Sequence, residues 1–267
     1  MPTSWPNKGS SGSITERSCE GRRLRPMCVI FVAYDRHPKH PLVVLANRDE
    51  FYDRPTAAAA RWEDHPQVTA GRDLVAGGTW LGVTDSGRFA AVTNFRDPKA
   101  AAGPLSRGSL VADFLVGEEA AEEYMNRVAE NADRYSGFNL LAGEIGGDRG
   151  GLFYFSNRGG RVTRLDAGIY GLSNHLLNTA WPKVSTGIER FSGIISKPEI
   201  SKSECFALLA DESVADDTDL PDTGVGLTRE RVLSSIFIRT PGYGTRSSTV
   251  VLFDNWSGFE FEEKVFV

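Results

Sequence analysis

The chain is poor in the residues that usually advertise chemistry. Three cysteines, Cys19, Cys28 and Cys205, are too few and too scattered for a disulfide framework, and no CxxC pair suggests zinc. That scarcity fits a reducing, cytoplasmic setting. The four histidines, His37, His40, His65 and His175, show no HExxH or other ligand spacing, which argues against a dedicated metal site. No apolar run approaches the roughly 20 residues of a membrane-spanning helix, so a soluble chain without a transmembrane segment is expected. A net charge of -5 gives no support to a nucleic-acid surface.

What remains is the composition of an ordinary globular protein, 40% hydrophobic and 24% charged over 267 residues. Residues 1–26 differ from the rest. They are rich in Ser, Gly, Pro and Arg, with only Trp5, Ile14 and Leu24 as large apolar side chains, too little to offset the entropy of ordering. We read them as a flexible extension or as the product of a start assigned too far upstream, with Met27 the alternative start. Arg22, Arg23 and Arg25 hint at an organelle transit peptide, against which Glu16 and Glu20 count.

From Met27 onward the pattern is that of one domain, residues 27–267. Apolar β-rich runs at 28–34 and 42–45 flank a His-Pro turn and predict a hairpin buried on both faces. Strands at 79–84 and 88–95 join through Asp85-Ser86-Gly87. Helical spacing covers 109–115 and 118–129, followed by strands near 138–144, 151–156, 161–165 and 168–172 around a glycine-rich turn at 146–151. A helix at 179–195 carries Pro182 in its first turn, and Ser201 with Glu204 makes a capping box for the next. Thr228 is expected to cap a helix through Ser235, and strands at 247–254 and 259–266 close the chain across a turn at 255–258. Strands, helices, strands, helices, strands is an α+β order, not the alternation of a doubly wound sheet.

Chemistry centres on Cys28, which follows Met27 and opens the first core strand. Were Met27 the start and then removed, Cys28 would supply a thiol nucleophile and an α-amine whose ordinary pKa of about 7.7–8.0 suits a general base. The competing reading is a buried cysteine acting as a small hydrophobe. Asn47-Arg48-Asp49-Glu50 ends the second strand and should lie across from Cys28. Arg48 would lower the thiol pKa or hold an acyl carboxylate, and Asp49 would orient the amine; a structural ion-pair network is the alternative. Asn94 and Asn174 end strands and are candidate oxyanion donors, although Asn is also a common turn residue. Arg231 and Arg246 are candidates for an anionic group. Gly77-Gly78 and Gly242-Tyr243-Gly244 lack nucleotide-loop spacing, and the acidic stretch 211–222 departs from the EF-hand pattern.

Several ordered segments carry a resemblance. Met27-Cys28, the run from Ala46 through Asn47-Arg48-Asp49-Glu50 to Pro55, Ala70 to Asp73, Gly77 to Val83 and Thr93 to Asp97 look like the NRDE family. Tyr170 to Asn174, Trp181-Pro182-Lys183, Leu233 to Phe237 and Tyr243 to Ser248 continue the match. The resemblance implies an N-terminal-nucleophile (Ntn) hydrolase-like fold, a four-layer αββα sandwich of two stacked antiparallel sheets. By it, Cys28 resembles the nucleophile, Arg48 and Asp49 the paired polar residues of the second strand, and Asn94 and Asn174 the two oxyanion amides. Asn47, Arg231 and Arg246 are expected at the substrate. The order Asn-Arg-Asp-Glu differs from the Arg-Asn-x-Asp usual in related amidases.

Two functions follow from the resemblance. One is binding or trafficking of a small hydrophobic or acyl ligand, haem or acyl-CoA or lipid, linked to secretion and Golgi organisation, with no cofactor required. Haem would then be held loosely, or by Cys28 or His175. The other is hydrolysis of a non-peptide amide by an N-terminal cysteine.

Overall fold

A computed structural model describes residues 27–98, 103–146, 150–255 and 258–267. The extension 1–26 lies outside the described residues, as do parts of the expected turns at 146–151 and 255–258.

Among the described residues, thirteen strands form two antiparallel sheets. The first contains β1 (Met27–Tyr34), β2 (Leu42–Phe51), β10 (Gly168–Leu172), β11 (Arg239–Thr240), β12 (Tyr243–Phe253) and β13 (Phe259–Val265). Its order is β10-β1-β2-β12, with β11 and β13 both pairing to β12. The second is a sequential meander of β3 (Thr56–Arg61), β4 (Val68–Asp73), β5 (Leu81–Thr84), β6 (Arg88–Asn94), β7 (Phe138–Glu144), β8 (Gly151–Ser156) and β9 (Thr163–Arg164).

The twofold period of a strand decides what each face meets. On β1 and β2, Ile30, Val32, Leu42, Val44 and Ala46 pack between the sheets against Leu81, Val83, Phe89, Ala91 and Leu141. The alternate residues Val29, Phe31, Ala33, Val43 and Leu45 face outward under α3 (Pro182–Ile195) and α4 (Lys202–Leu209). The outer face of the second sheet carries Ala90, Val92, Leu140 and Ala142 beneath α1 (Arg107–Val116) and α2 (Ala121–Glu130). Helix, sheet, sheet, helix is the four-layer α+β sandwich the resemblance implied. The expected hairpin of β1 and β2 is present and buried on both faces.

Several expectations differ in extent. The second strand runs six residues past 45, taking in the four polar residues expected at its end and closing on Phe51. β3 and β4 were not foreseen. Alanines 57–60 have little strand preference, and pairing with β4 together with the bond from Ala59 N–H to Glu263 Oε2 (2.7 Å) holds the segment. The helix expected from Thr228 is α5 (Leu227–Val232), which Gly226 precedes at φ 90°, a left-handed conformation that favours glycine. Ser201 caps α4 as expected, accepting from the Glu204 N–H.

Candidate functional site

Cys28 stands directly opposite Arg48 in the β1–β2 ladder, and Met27 opposite Asp49. Parity therefore splits the Asn47–Glu50 segment. Arg48 and Glu50 share the inter-sheet face with Cys28, whereas Asn47 and Asp49 point toward the helices.

On the inter-sheet side a cavity of about 450 Å³ opens above Cys28. Arg48, Arg54 and Arg107 supply positive charge to its wall, Glu50 and Asp73 negative, and Trp80, Val92 and Leu105 apolar surface. Asn94 lines the same space, as does Asp49. The guanidinium of Arg48 stacks 4.2 Å from the Trp80 ring and lies 3.8 Å from Glu50 Oε2. Arg54 bridges Glu50 (3.7 Å) and Asp73 (2.6 Å), which anchors the start of β3 to the cavity rim. Burial pushes the Glu50 carboxyl up, against the pull of Arg48 and Arg54, and pushes the Arg48 guanidinium down.

Cys28 is half-buried and lines the cavity. The thiol is pushed up to about 12, first by burial and then by the Asp49 charge, while the Asp49 main-chain N–H and Arg48 pull the other way. With residue 27 attached it is therefore held as the thiol, a poor nucleophile. Its carbonyl accepts from Ser173 Oγ (3.0 Å), which ties β1 to the end of β10.

Behind the ladder, Asp49 is fully buried. One carboxylate oxygen accepts from Thr245 Oγ1 (2.7 Å); the other has no partner among the described residues. Lys183, second residue of α3, is 3% exposed, and its Nζ likewise lacks a hydrogen-bond partner. Burial pushes Asp49 up and Lys183 down, and each is the largest opposing charge acting on the other. Next to Lys183, Arg96 and Glu230 form a buried ion pair (2.6 Å), with Arg96 also stacked 4.5 Å from Trp181.

The remaining candidates fall elsewhere. Asn174 is fully buried and does not line the cavity; its Nδ2 donates to the Asn94 carbonyl (3.0 Å), so it acts on the strand end that carries Asn94. Asn47, expected at the substrate, donates to the carbonyls of Leu209 (2.8 Å) and Ile236 (2.9 Å) and accepts from Ser248 on the helix side, because strand alternation turns it away from Cys28. Arg231 lies on the surface in a fork with Asp217 (2.6 Å) and does not reach the cavity. Arg246 sits behind the Arg48–Trp80 stack and donates to the carbonyls of Phe51, Arg54 and Val267, a structural tie between strands and chain end. His175 packs between Phe95 and Trp181, outside the cavity. Among the described residues no cluster of three potential metal ligands exists, and no helix is long and apolar enough to cross a membrane.

Lys183, Tyr243 and Arg107 were not named as site residues from sequence. For Lys183 a signal existed: it is in helical register with Gly187, Phe191 and Ile194 on the buried stripe of α3. A lysine on such a stripe is unusual enough to ask what it faces.

The C. elegans orthologue of N-acylethanolamine-hydrolyzing acid amidase is similar at TM-score 0.49 and 12% identity, covering 90% of this chain and 100% of its own. In sequence, the Transport and Golgi organization protein 2 homolog of Bos taurus is 36% identical over 255 residues, 89% of this chain and 92% of the relative. The homolog of Homo sapiens is 34% identical over the same shares. The family model described as Transport and Golgi organisation 2 matches residues 27–267, which takes in both sheets and every cavity residue named above. The chain belongs to the Transport and Golgi organisation 2 family.

Proposed function

We propose that residues 27–267 form a cytoplasmic binding unit whose cavity above Cys28 holds an amphipathic metabolite, an acyl-CoA or lipid or else haem, for trafficking linked to secretion and Golgi organisation. The observation that carries this reading is the cavity's division. Arg48, Arg54 and Arg107 offer charge to an anionic head, while Trp80, Val92 and Leu105 offer apolar contact to its body. The thiol of Cys28, pushed up by burial and so kept protonated, supports a site that holds its ligand without attacking it. Of the two ligand classes, the acyl type suits these residues better. His175, one of the expected haem ligands, lies outside the cavity, and Cys28 is held as the thiol.

Two titrations of the full chain test it, one with palmitoyl-CoA by calorimetry and one with haem by absorbance. Saturable heat with the first is expected, weakened about tenfold, or about 1.4 kcal/mol, by Arg107→Glu. No heat with the acyl ligand and no Soret shift at micromolar haem would remove the proposal.

A second reading rests on a different observation, the unpartnered Asp49 oxygen on the face where Met27 packs. With Met27 removed, the new α-amine of Cys28 would lie beside that oxygen. The amine would take the thiol proton, and the sulfur would add to an amide carbonyl whose oxygen draws hydrogen bonds near Asn94. The amine would then pass its proton to the departing nitrogen, and water would cleave the thioester. Intact mass gives the mature N-terminus, and turnover of an N-acyl substrate that survives Cys28→Ser would sink this reading.

A further inference from the structure

A chain of buried hydrogen bonds crosses between the two sheets beside Cys28. Thr93 on β6 and Asn139 on β7 stand opposite each other in the ladder, and both are buried. Tyr154 Oη on β8 donates to Asn139 Oδ1 (2.9 Å), and Asn139 Nδ2 donates to Thr93 Oγ1 (3.0 Å). Thr93 Oγ1 in turn donates to the carbonyl of Ser173 (2.7 Å), just past the end of β10 in the other sheet. At the outer end, Tyr154 Oη accepts from the Leu177 N–H (3.1 Å). Each hydroxyl has one proton to give, so the chain runs in a single direction and fixes how the Asn139 amide is turned.

The inner end of the chain is the pair Ser173-Asn174, which holds one residue of each sheet. Ser173 Oγ donates to the Cys28 carbonyl (3.0 Å) and lies 3.1 Å from Asn174 Oδ1, while Asn174 Nδ2 donates to the Asn94 carbonyl (3.0 Å). The β1–β10 ladder begins at Ile30, opposite Leu172, so at Cys28 the Ser173 hydroxyl stands where ladder pairing has stopped. Cys28 and Asn94 line one cavity from different sheets. Further along, the sheets meet through apolar side chains such as Val32, Val44, Phe89 and Leu141. Apolar contact is non-directional and lets two faces slide, whereas hydrogen bonds restrict both distance and angle. The polar link therefore sets the spacing of the sheets at the cavity.

We infer that Thr93, held by Asn139 and Tyr154, is a positioning residue for the cavity: it locks the Ser173-Asn174 pair, and through that pair sets Cys28 of one sheet against Asn94 of the other. That these two residues meet a ligand rests on the function proposed above; the lock itself does not.

Alkylation of Cys28 by iodoacetamide in the full chain, followed by peptide mass mapping, reads the lock directly. Thr93→Val keeps the shape of the side chain and removes its hydroxyl, leaving the Ser173 carbonyl only the long contact from Asn139 Nδ2 (3.5 Å). With the end of β10 released, the start of β1 gains freedom and the reagent reaches the Cys28 sulfur more often. Cys28 should react about tenfold faster, the equivalent of one lost hydrogen bond. Thr93→Ser, which keeps the hydroxyl, should react as the parent does. Val128→Ala, which thins the outer core beneath α2, supplies a chain of comparable lost stability with the lock intact. Its Cys28 should also keep the parent rate, because a half-buried thiol reacts from the folded state.

An unchanged Cys28 rate in Thr93→Val overturns the inference, as does an equal acceleration in Val128→Ala or in Thr93→Ser. Should Thr93→Val fail to fold, Tyr154→Phe removes one oxygen at the outer end of the chain and is read against the same controls. Palmitoyl-CoA titration separates this inference from the proposed function. Because alkylation needs no ligand, a parent chain that gives no heat removes the binding proposal and leaves the alkylation result to decide the lock. Where the parent does bind, Thr93→Val should weaken affinity about tenfold while Val128→Ala does not. Parental affinity in Thr93→Val would overturn the positioning role.

Discussion

At the scale of single residues, strand parity separates side chains that are neighbours in sequence. Cys28 and Arg48 were legible together, because a hairpin of known strands dictates who stands opposite whom. Asn47 was not, since its position relative to the core depended on β2 continuing past residue 45. Its amide satisfies two carbonyls and the Ser248 hydroxyl in the layer beneath α4. Asn47→Ala orphans those groups and should cost about 2–4 kcal/mol in urea unfolding. The same variant, assayed well below its midpoint, should bind acyl ligand as the parent does. A stable variant that has lost binding would return Asn47 to the cavity. Arg231 illustrates a different failure. Nothing in its sequence neighbourhood distinguishes an arginine forked to Asp217 on the surface from one aimed at a ligand.

At the scale of elements, most helices and strands were readable from period and punctuation, and their ends were not. Polar residues within β2 and alanines within β3 contradict local preference and are carried by the sheet around them. Close approach between elements was likewise invisible beforehand. At Gly187, an added Cβ would stand 2.1 Å from Phe31 Cζ, so α3 sits on β1 at a distance only glycine permits. That contact also fixes where the first turn of α3 delivers Lys183. Gly187→Ala should therefore destabilise by about 1–3 kcal/mol through overpacking. Phe31→Leu in the same chain should restore part of the loss by making room. Chemical denaturation of the two single variants and the double variant decides it, and strictly additive losses would show that the two residues do not collide.

For the whole molecule, the four-layer order makes two outer cores and one inner core, each with its own buried groups. That order was legible through the resemblance to the NRDE family, while the succession of strands and helices by itself gave only an α+β class. The titration behaviour of the interior was not legible, since burial depends on all layers at once. Cys205, fully buried on the inner face of α4, is pushed from an ordinary 9.0 up to about 12, first by burial and then by Glu204. Between those values the unfolded chain gives up the thiol proton and the folded chain keeps it. The folded state then binds more protons, so stability falls as pH rises through that window, by about 1.4 kcal/mol per unit for one such group. Cys28 adds a fall of the same sign over the same window. Lys183 opposes both, because its lowered value makes stability rise with pH until the unfolded ammonium also titrates, near 10.5. Comparing the parent with Cys205→Ala cancels the other groups. The alanine chain should be the less stable near neutrality, where it lacks only packed volume, and should close that gap progressively above pH 9. Urea midpoints measured on both chains at a series of alkaline pH values test this. A gap that stays constant would mean the Cys205 thiol ionises as freely in the folded chain as in the unfolded one, and that the core beneath α4 admits water.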